Sequence, residues 1–191
     1  MNNSQKIAGF AQLGDPVLRQ QAQHVDDVNS TCILRIINTM FTALSGSNGV
    51  GLAAPQIYES VCIVIIASRP SKRYPLAPEM EPVVMINPGF DVLSQDMKKD
   101  WEGCLSIPGI RALVPRYERI KISYVDRQGR QQELLAEDFI ARIFQHEYDH
   151  LKGLVYLDRV EDNKDIISES EFQKLMESNK PSDCKYSDPM G

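Results

Sequence analysis

The sequence predicts a mixed helix-and-strand fold, and three observations predict it. Apolar residues recur at three- and four-residue steps over 27–44, the period of a helix with one buried face. Short apolar runs separated by turn residues fill much of 61–136 and read as strands. A second helical stripe over 137–151 carries two histidines four residues apart and ends before a glycine.

Along the chain, Leu13-Gly14-Asp15-Pro16 is a turn, and Pro16 suits the first position of a short helix. In 27–44, Val28, Cys32, Ile33, Ile36, Ile37, Met40, Phe41 and Leu44 form the core-facing stripe, which stops in Ser45-Gly46-Ser47-Asn48-Gly49. Next, Gly49-Val50-Gly51-Leu52-Ala53-Ala54-Pro55-Gln56 is rich in small residues that let a ligand approach the backbone closely. Nucleotide-fingerprint spacing and a following Lys-Ser/Thr are both missing, so an extended edge that holds a peptide is the better reading, with Gln56 offering an amide donor. The unbroken apolar run 61–67 is a strand buried on both faces, and 68–81, with three prolines, is an exposed loop. Two strands follow over 82–87 and 90–93, broken at Pro88-Gly89, and 101–109 interrupts any regular pattern. Further strands cover 110–117, 120–125 and 132–136, with a hairpin turn at 126–129. Gly153 suits the left-handed position past a helix end. After a short apolar segment at 154–157, Ile166, Ile167, Phe172, Leu175 and Met176 mark a last amphipathic helix over about 164–178. The polar residues 179–191 are expected to be disordered. No repeat or linker divides the 191 residues, so one domain is expected, with its core at about 10–160.

Composition narrows the function. The chain is 42% hydrophobic and 25% charged, the balance of a globular protein, and its net charge of −5 argues against a nucleic-acid groove. No apolar run approaches membrane-spanning length and the first residues lack a signal layout, so the expected location is the cytoplasm. The four cysteines are widely spaced. Cys32 and Cys62 read as small core residues, Cys184 lies in the polar tail, and Cys104, between Gly103 and Leu105, is expected as an exposed thiolate.

The chemistry concentrates in Gln145-His146-Glu147-Tyr148-Asp149-His150-Leu151. Residues four apart stack on one helix face, so His146 and His150 can share a metal ion, and Glu147 beside it is placed as a proton carrier. Two core histidines bonded to backbone carbonyls are the alternative. With Cys104 the pair makes a three-ligand site with an open fourth position, the layout of a catalytic metal. Cys104 as a nucleophile with His146 as its base is a second arrangement, which fits the intervening Glu147 less well.

On three ordered motifs the chain resembles the peptide deformylases. They are Gly49-Val50-Gly51-Leu52-Ala53-Ala54-Pro55-Gln56, Glu102-Gly103-Cys104-Leu105-Ser106 and Gln145-His146-Glu147-Tyr148-Asp149-His150, within a resemblance that spans 15–158 and is greatest to the bacterial type with a C-terminal helix. The resemblance implies an α+β fold whose antiparallel sheets surround the metal helix. It implies removal of the formyl group from N-terminal formyl-methionine of nascent chains, with release of formate. It implies ferrous iron, replaceable by zinc, nickel or cobalt. The matching roles are Cys104, His146 and His150 as ligands, Glu147 as proton carrier, and the Leu105 N–H and Gln56 side chain as oxyanion donors. The peptide is expected along Gly49, Val50 and Gly51, with Val50, Phe139 and Ile143 as walls of a methionine pocket, and Asp149 braced by Arg116. A zinc endopeptidase and a non-catalytic module with a structural metal are the competing functions. Some deformylases dock on the ribosome through a basic C-terminal helix, but Glu161, Asp162, Asp165, Glu169, Glu171 and Glu177 make this tail acidic, which lends such docking no support.

Overall fold

The computed structural model describes residues 9–70 and 77–178. The expectation of disorder over 179–191, the place of Cys184 and the middle of the 68–81 loop lie outside the described residues. The helix α1 spans Thr31–Ser45 and begins later than its stripe predicts, because the Ser30 hydroxyl accepts the Ile33 N–H and caps it there. The short 3-10 turn Pro16–Arg19 has its proline in the first turn, and Asp15 accepts from the Val17 N–H.

The strands β1 (Gly51–Ala53), β2 (Ile63–Ile66), β3 (Val83–Val92), β6 (Arg119–Val125) and β7 (Gln131–Glu137) form one antiparallel sheet in the order β1-β2-β3-β6-β7. The strands β4 (Met97–Cys104), β5 (Ile107–Tyr117) and β8 (Ile166–Ser168) form a second, ordered β4-β5-β8. The helix α2 (Asp138–Leu151) lies against β1, β2, β5, β6 and β7, and α3 (Glu169–Ser178) lies against β5 and β8. The class is α+β with antiparallel sheets around α2, as the resemblance implies.

The period of two along β2 explains this layering. Ile63 and Ile65 pack with Ile33, Ile36, Ile37, Met40 and Leu44 of α1, whereas Val64 and Ile66 pack with Ala141, Ile143 and Phe144 of α2. The strand therefore has no polar face, because a helix covers each side. Phe144 is fully buried and meets Phe90 of β3 edge-on at 5.7 Å between centroids.

Several elements depart from the pattern reading. The two strands expected over 82–93 are one strand, β3, whose register with β6 shifts between Ile86 and Gly89. Asn87 absorbs the irregularity with φ +50, and its side chain bonds the backbone N–H and C=O of Val25. The stretch 101–109, read as irregular, is the end of β4, a two-residue turn and the start of β5, with a register shift between Glu102 and Cys104. Ile166 and Ile167 belong to β8 rather than to the last helix, so α3 starts at Glu169. Cys32 is exposed and not a core residue, sitting on the edge of its helix stripe beside Arg35, whereas Cys62 is half-buried and packs against the core cluster that holds Val64 and Ile66.

Gly153 does end α2 in the left-handed region, with φ +72. A Cβ there would also come within 2.8 Å of the Arg19 carbonyl carbon and 3.0 Å of Gln20 N. We predict that Gly153→Ala destabilises the protein by about 2 kcal/mol or more, from backbone strain and this clash. Urea unfolding checks it; an unchanged midpoint would contradict this reading of the helix end.

Candidate metal centre

The burial pattern of β4 places the ligands. Glu102 and Cys104 alternate inward, while Trp101 and Gly103 fall on the other face. The bulge between Glu102 and Cys104 and the turn Leu105-Ser106 then bring Cys104 against α2. Cys104 is buried, at 6% exposure, not exposed as its glycine neighbour suggests, because the start of β5 and Val155-Tyr156 close over it. Its Sγ lies 3.3 Å from His150 Nε2, and single ligand atoms of Cys104, His146 and His150 all lie within 4.8 Å of one another. Two imidazoles and a thiolate on one four-coordinate ion stand about 3.5 Å apart, given bonds of about 2.0–2.3 Å. The trio fits a metal ion with small adjustments, and it is a metal-binding site.

The His146 imidazole is oriented before any ligand arrives. His146 bonds the Glu102 carboxylate through Nδ1 at 2.9 Å, which leaves Nε2 for the metal. Burial alone would raise the Cys104 thiol. The charge and hydrogen bonds of His150 and His146 outweigh it and hold the group well below the ordinary thiol range, in the form that binds metal.

Glu102 is the residue that sequence reasoning missed. It is buried and accepts from Arg116 Nε at 2.9 Å, Arg116 Nη2 at 3.1 Å and Arg142 Nη1 at 2.8 Å. Despite burial, the Arg116 charge and the bonds from His146 and Arg116 hold its carboxyl far below the usual range. Arg116 also donates to Asp149 at 2.6 Å, and Arg159 donates to the same carboxylate at 2.7 Å. Asp149 is buried in this network. Arg142 further bonds the carbonyls of Val114 at 2.7 Å and Lys98 at 2.5 Å, so one guanidinium ties α2 to both β4 and β5. Gln145 clamps the end of β5, accepting the Tyr117 N–H at 3.1 Å and donating to the Tyr117 carbonyl at 2.9 Å. Their residue types carry no local signal of these partners; only the alternation of β4, which puts Glu102 on the side of Cys104, hints at one.

The remaining residues expected in the site gather at one cleft of about 520 Å³, its open mouth included. Gly49, Val50, Gly51, Leu105, Phe139, Ile143, His146 and Glu147 line it with Cys104, and so do Trp101 and Arg142. Gln56 is buried beside the metal ligands: its Oε1 accepts the Ala53 N–H at 2.9 Å, and its Nε2 faces Cys104 Sγ at 3.4 Å and Ser106 Oγ at 3.3 Å. Glu147 is buried, its Oε2 has no hydrogen-bond partner among the described residues, and burial pushes its carboxyl up to about 7 against the pull of His146 and His150. Gly51 makes this placement possible, since a Cβ there would stand 2.5 Å from Glu147 Oε1.

The polypeptide deformylase family model matches residues 7–165, the larger part of the chain. This chain belongs to the peptide deformylase family. It is 49% identical to peptide deformylase 2 of a Nostoc species over 174 residues, covering 91% of this chain and 97% of that one. It is 43% identical to peptide deformylase 1 of Nitrosomonas europaea over 156 residues, covering 82% and 89%. Among solved structures, the class I type b peptide deformylase of Acinetobacter baumannii with Met-Ala-Ser bound superposes with a TM-score of 0.78 at 41% identity, covering 81% of this chain and 98% of that one. The Synechococcus elongatus deformylase in complex with actinonin gives 0.74 at 35% identity, covering 86% and 85%. The deformylase is thus a metal-dependent hydrolase that removes the formyl group from N-terminal formyl-methionine, acting on formylated nascent peptides. Among the described residues, no helix is long and apolar enough to cross a membrane.

The Glu102 network yields a prediction. Glu102→Gln should weaken metal binding roughly 10–100-fold, the usual cost of losing the partner that orients a ligating histidine. Its depressed folded-state pKa adds stability above the ordinary value of 4.5, lost as the pH falls below it. The substitution should therefore flatten the acid limb of stability measured in urea. Chelator competition reads the affinity, and wild-type affinity in the variant would remove Glu102 from the centre.

Proposed function

We propose that Glu147 is the proton carrier of deformylation, and its buried, unpartnered Oε2 beside the three metal ligands is the observation that carries the assignment. Cys104 Sγ, His146 Nε2 and His150 Nε2 would hold the ion, which when bound supplies Lewis acidity to water and to the formyl oxygen. The donor set suits several divalent ions, and ferrous iron is the one that family resemblance favours.

In this reading the formyl carbon sits between Glu147 and the thiolate side of the cleft. Glu147 accepts the proton of the attacking water and returns it to the departing amine nitrogen. Its raised pKa, near 7, suits both acceptance and return. The formyl oxygen gains negative charge beside Leu105 of the cleft wall and next to Cys104, against which Gln56 Nε2 is buried, and the Leu105 N–H and Gln56 Nε2 stabilise it. Gln56 is suited to this because its other amide atom is already fixed by Ala53.

The peptide lies extended along Gly49, Val50 and Gly51. β1 is an edge strand, so its outer side is available for pairing. The Met-Ala-Ser bound to the Acinetobacter enzyme supports a peptide in the corresponding cleft here. Val50, Phe139 and Ile143 wall the methionine pocket, and all three line the cleft around Glu147. Arg116 and Asp149 act at a distance as the brace that keeps α2 on its sheet.

Glu147→Gln should retain the metal and lose at least ~10²-fold in kcat, the scale of a lost general base. Elemental analysis of protein isolated without oxygen should find about one iron per chain in both forms. Near-normal turnover by the metal-loaded variant would exclude the role. The pocket predicts that formyl-methionyl peptides exceed formyl-alanyl ones by more than about tenfold in kcat/KM, since several additional heavy atoms are buried. Equal values would move the pocket elsewhere.

A further inference from the structure

Trp101 connects the C-terminal helix to the cleft. It stands on the face of β4 opposite Glu102 and Cys104, paired across the strands with Leu113 of β5. On that face α3 is anchored by its first turn. Glu169 accepts from Arg111 Nε at 2.6 Å and Nη2 at 3.0 Å, and Arg111 is fully buried. The same guanidinium lies 4.7 Å over the ring of Phe172. Phe172, buried, meets the Trp101 ring at 5.6 Å between centroids and 63° between planes. Trp101 thus has α3 behind it, yet it stays half-buried and lines the cleft with Gly103, Phe139 and Ile143. A residue needed only to seat α3 has no reason to reach the cleft wall.

We propose that Trp101 selects the side chain of the third residue of the formylated peptide, and that α3, through Phe172, sets its position. The proposal rests on the peptide path given above. An extended chain repeats its side-chain direction every second residue. The side chain that shares the methionine's side of the peptide is therefore the third, about 6–7 Å further along. Trp101 belongs to the same cleft wall as the methionine pocket and offers an apolar ring there. The favoured third residue is accordingly a large apolar or aromatic one. The C-terminal helix, which carries no metal ligand, becomes part of peptide recognition.

The test uses the metal-loaded full chain and amidated formyl-Met-Ala-X peptides with X as Gly, Leu or Phe. The wild type should prefer Leu and Phe over Gly by about five- to tenfold in kcat/KM, the scale of burying part of one such side chain. Trp101→Ala should bring the ratio near one, Trp101→Phe should keep part of it, and Phe172→Ala should lower it with metal content unchanged. Trp101 is the one tryptophan of the chain. Its emission should therefore shift on titration with Met-Ala-Leu and stay constant with methionine alone. If Trp101→Ala does not fold, Trp101→Phe and Phe172→Leu carry the ratio measurement. An unchanged ratio in the variants overturns the proposal. So does a constant emission at a tripeptide concentration that inhibits turnover, or a preference that follows the second residue. A wild type that keeps its formyl-methionine preference but ignores X would sink this proposal alone, whereas equal rates for formyl-methionyl and formyl-alanyl peptides would remove the peptide path beneath it.

Discussion

The structure depends on one buried charge. Glu102 faces inward from a strand, out of water, and its carboxylate is tolerable there because Arg116, Arg142 and His146 all donate to it. These partners join the second sheet to α2 and to the metal site. Arg116 comes from β5, Arg142 from the middle of α2, and His146 is a metal ligand. The need to satisfy one carboxylate therefore fixes α2 against the second sheet and turns the His146 ring at the same time. Such a network adds little net stability compared with apolar packing, since desolvation cancels much of the attraction. What it supplies is a single register of helix against strand, which a three-ligand site requires.

On its other side α2 meets β1 closely enough that only glycine fits at position 51, beside the Glu147 carboxylate. That proximity keeps Glu147 dry and raises its proton affinity. The rest of α2 is held by apolar packing, with Phe144 and Ile143 facing Val64 and Ile66. The helix is thus gripped by ions on the face toward the second sheet and by hydrocarbon on the face toward the first. The cleft is the gap between those two contacts, bordered by both β1 and the end of β4.

Much of this was legible beforehand. The apolar run of β2, without a polar face, announced cover on both sides, and α1 and α2 supply it. The i, i+4 histidines and the left-handed Gly153 follow from backbone geometry that any helix imposes. The misreadings share a cause. Pro88-Gly89 and Gly103 look like strand breaks locally, but β3 and β4 run through them because pairing to β6 and β5 outweighs local propensity, and bulges absorb the misfit. Cys104 looked exposed because a glycine neighbour says nothing about what another segment lays over it.

The sequence by itself determined the elements with a period, the nature of the metal donors and the family, because repeat spacing and ordered motifs are properties of a linear chain. Only the tertiary structure decided that Glu102, Arg142 and Arg159 join Arg116 and Asp149 in one network, and that Trp101 stands between Phe172 and the cleft. Charged and aromatic side chains have no periodic signature of their partners. Their meaning is set by which distant segments burial forces together, and that is a property of the packed chain alone.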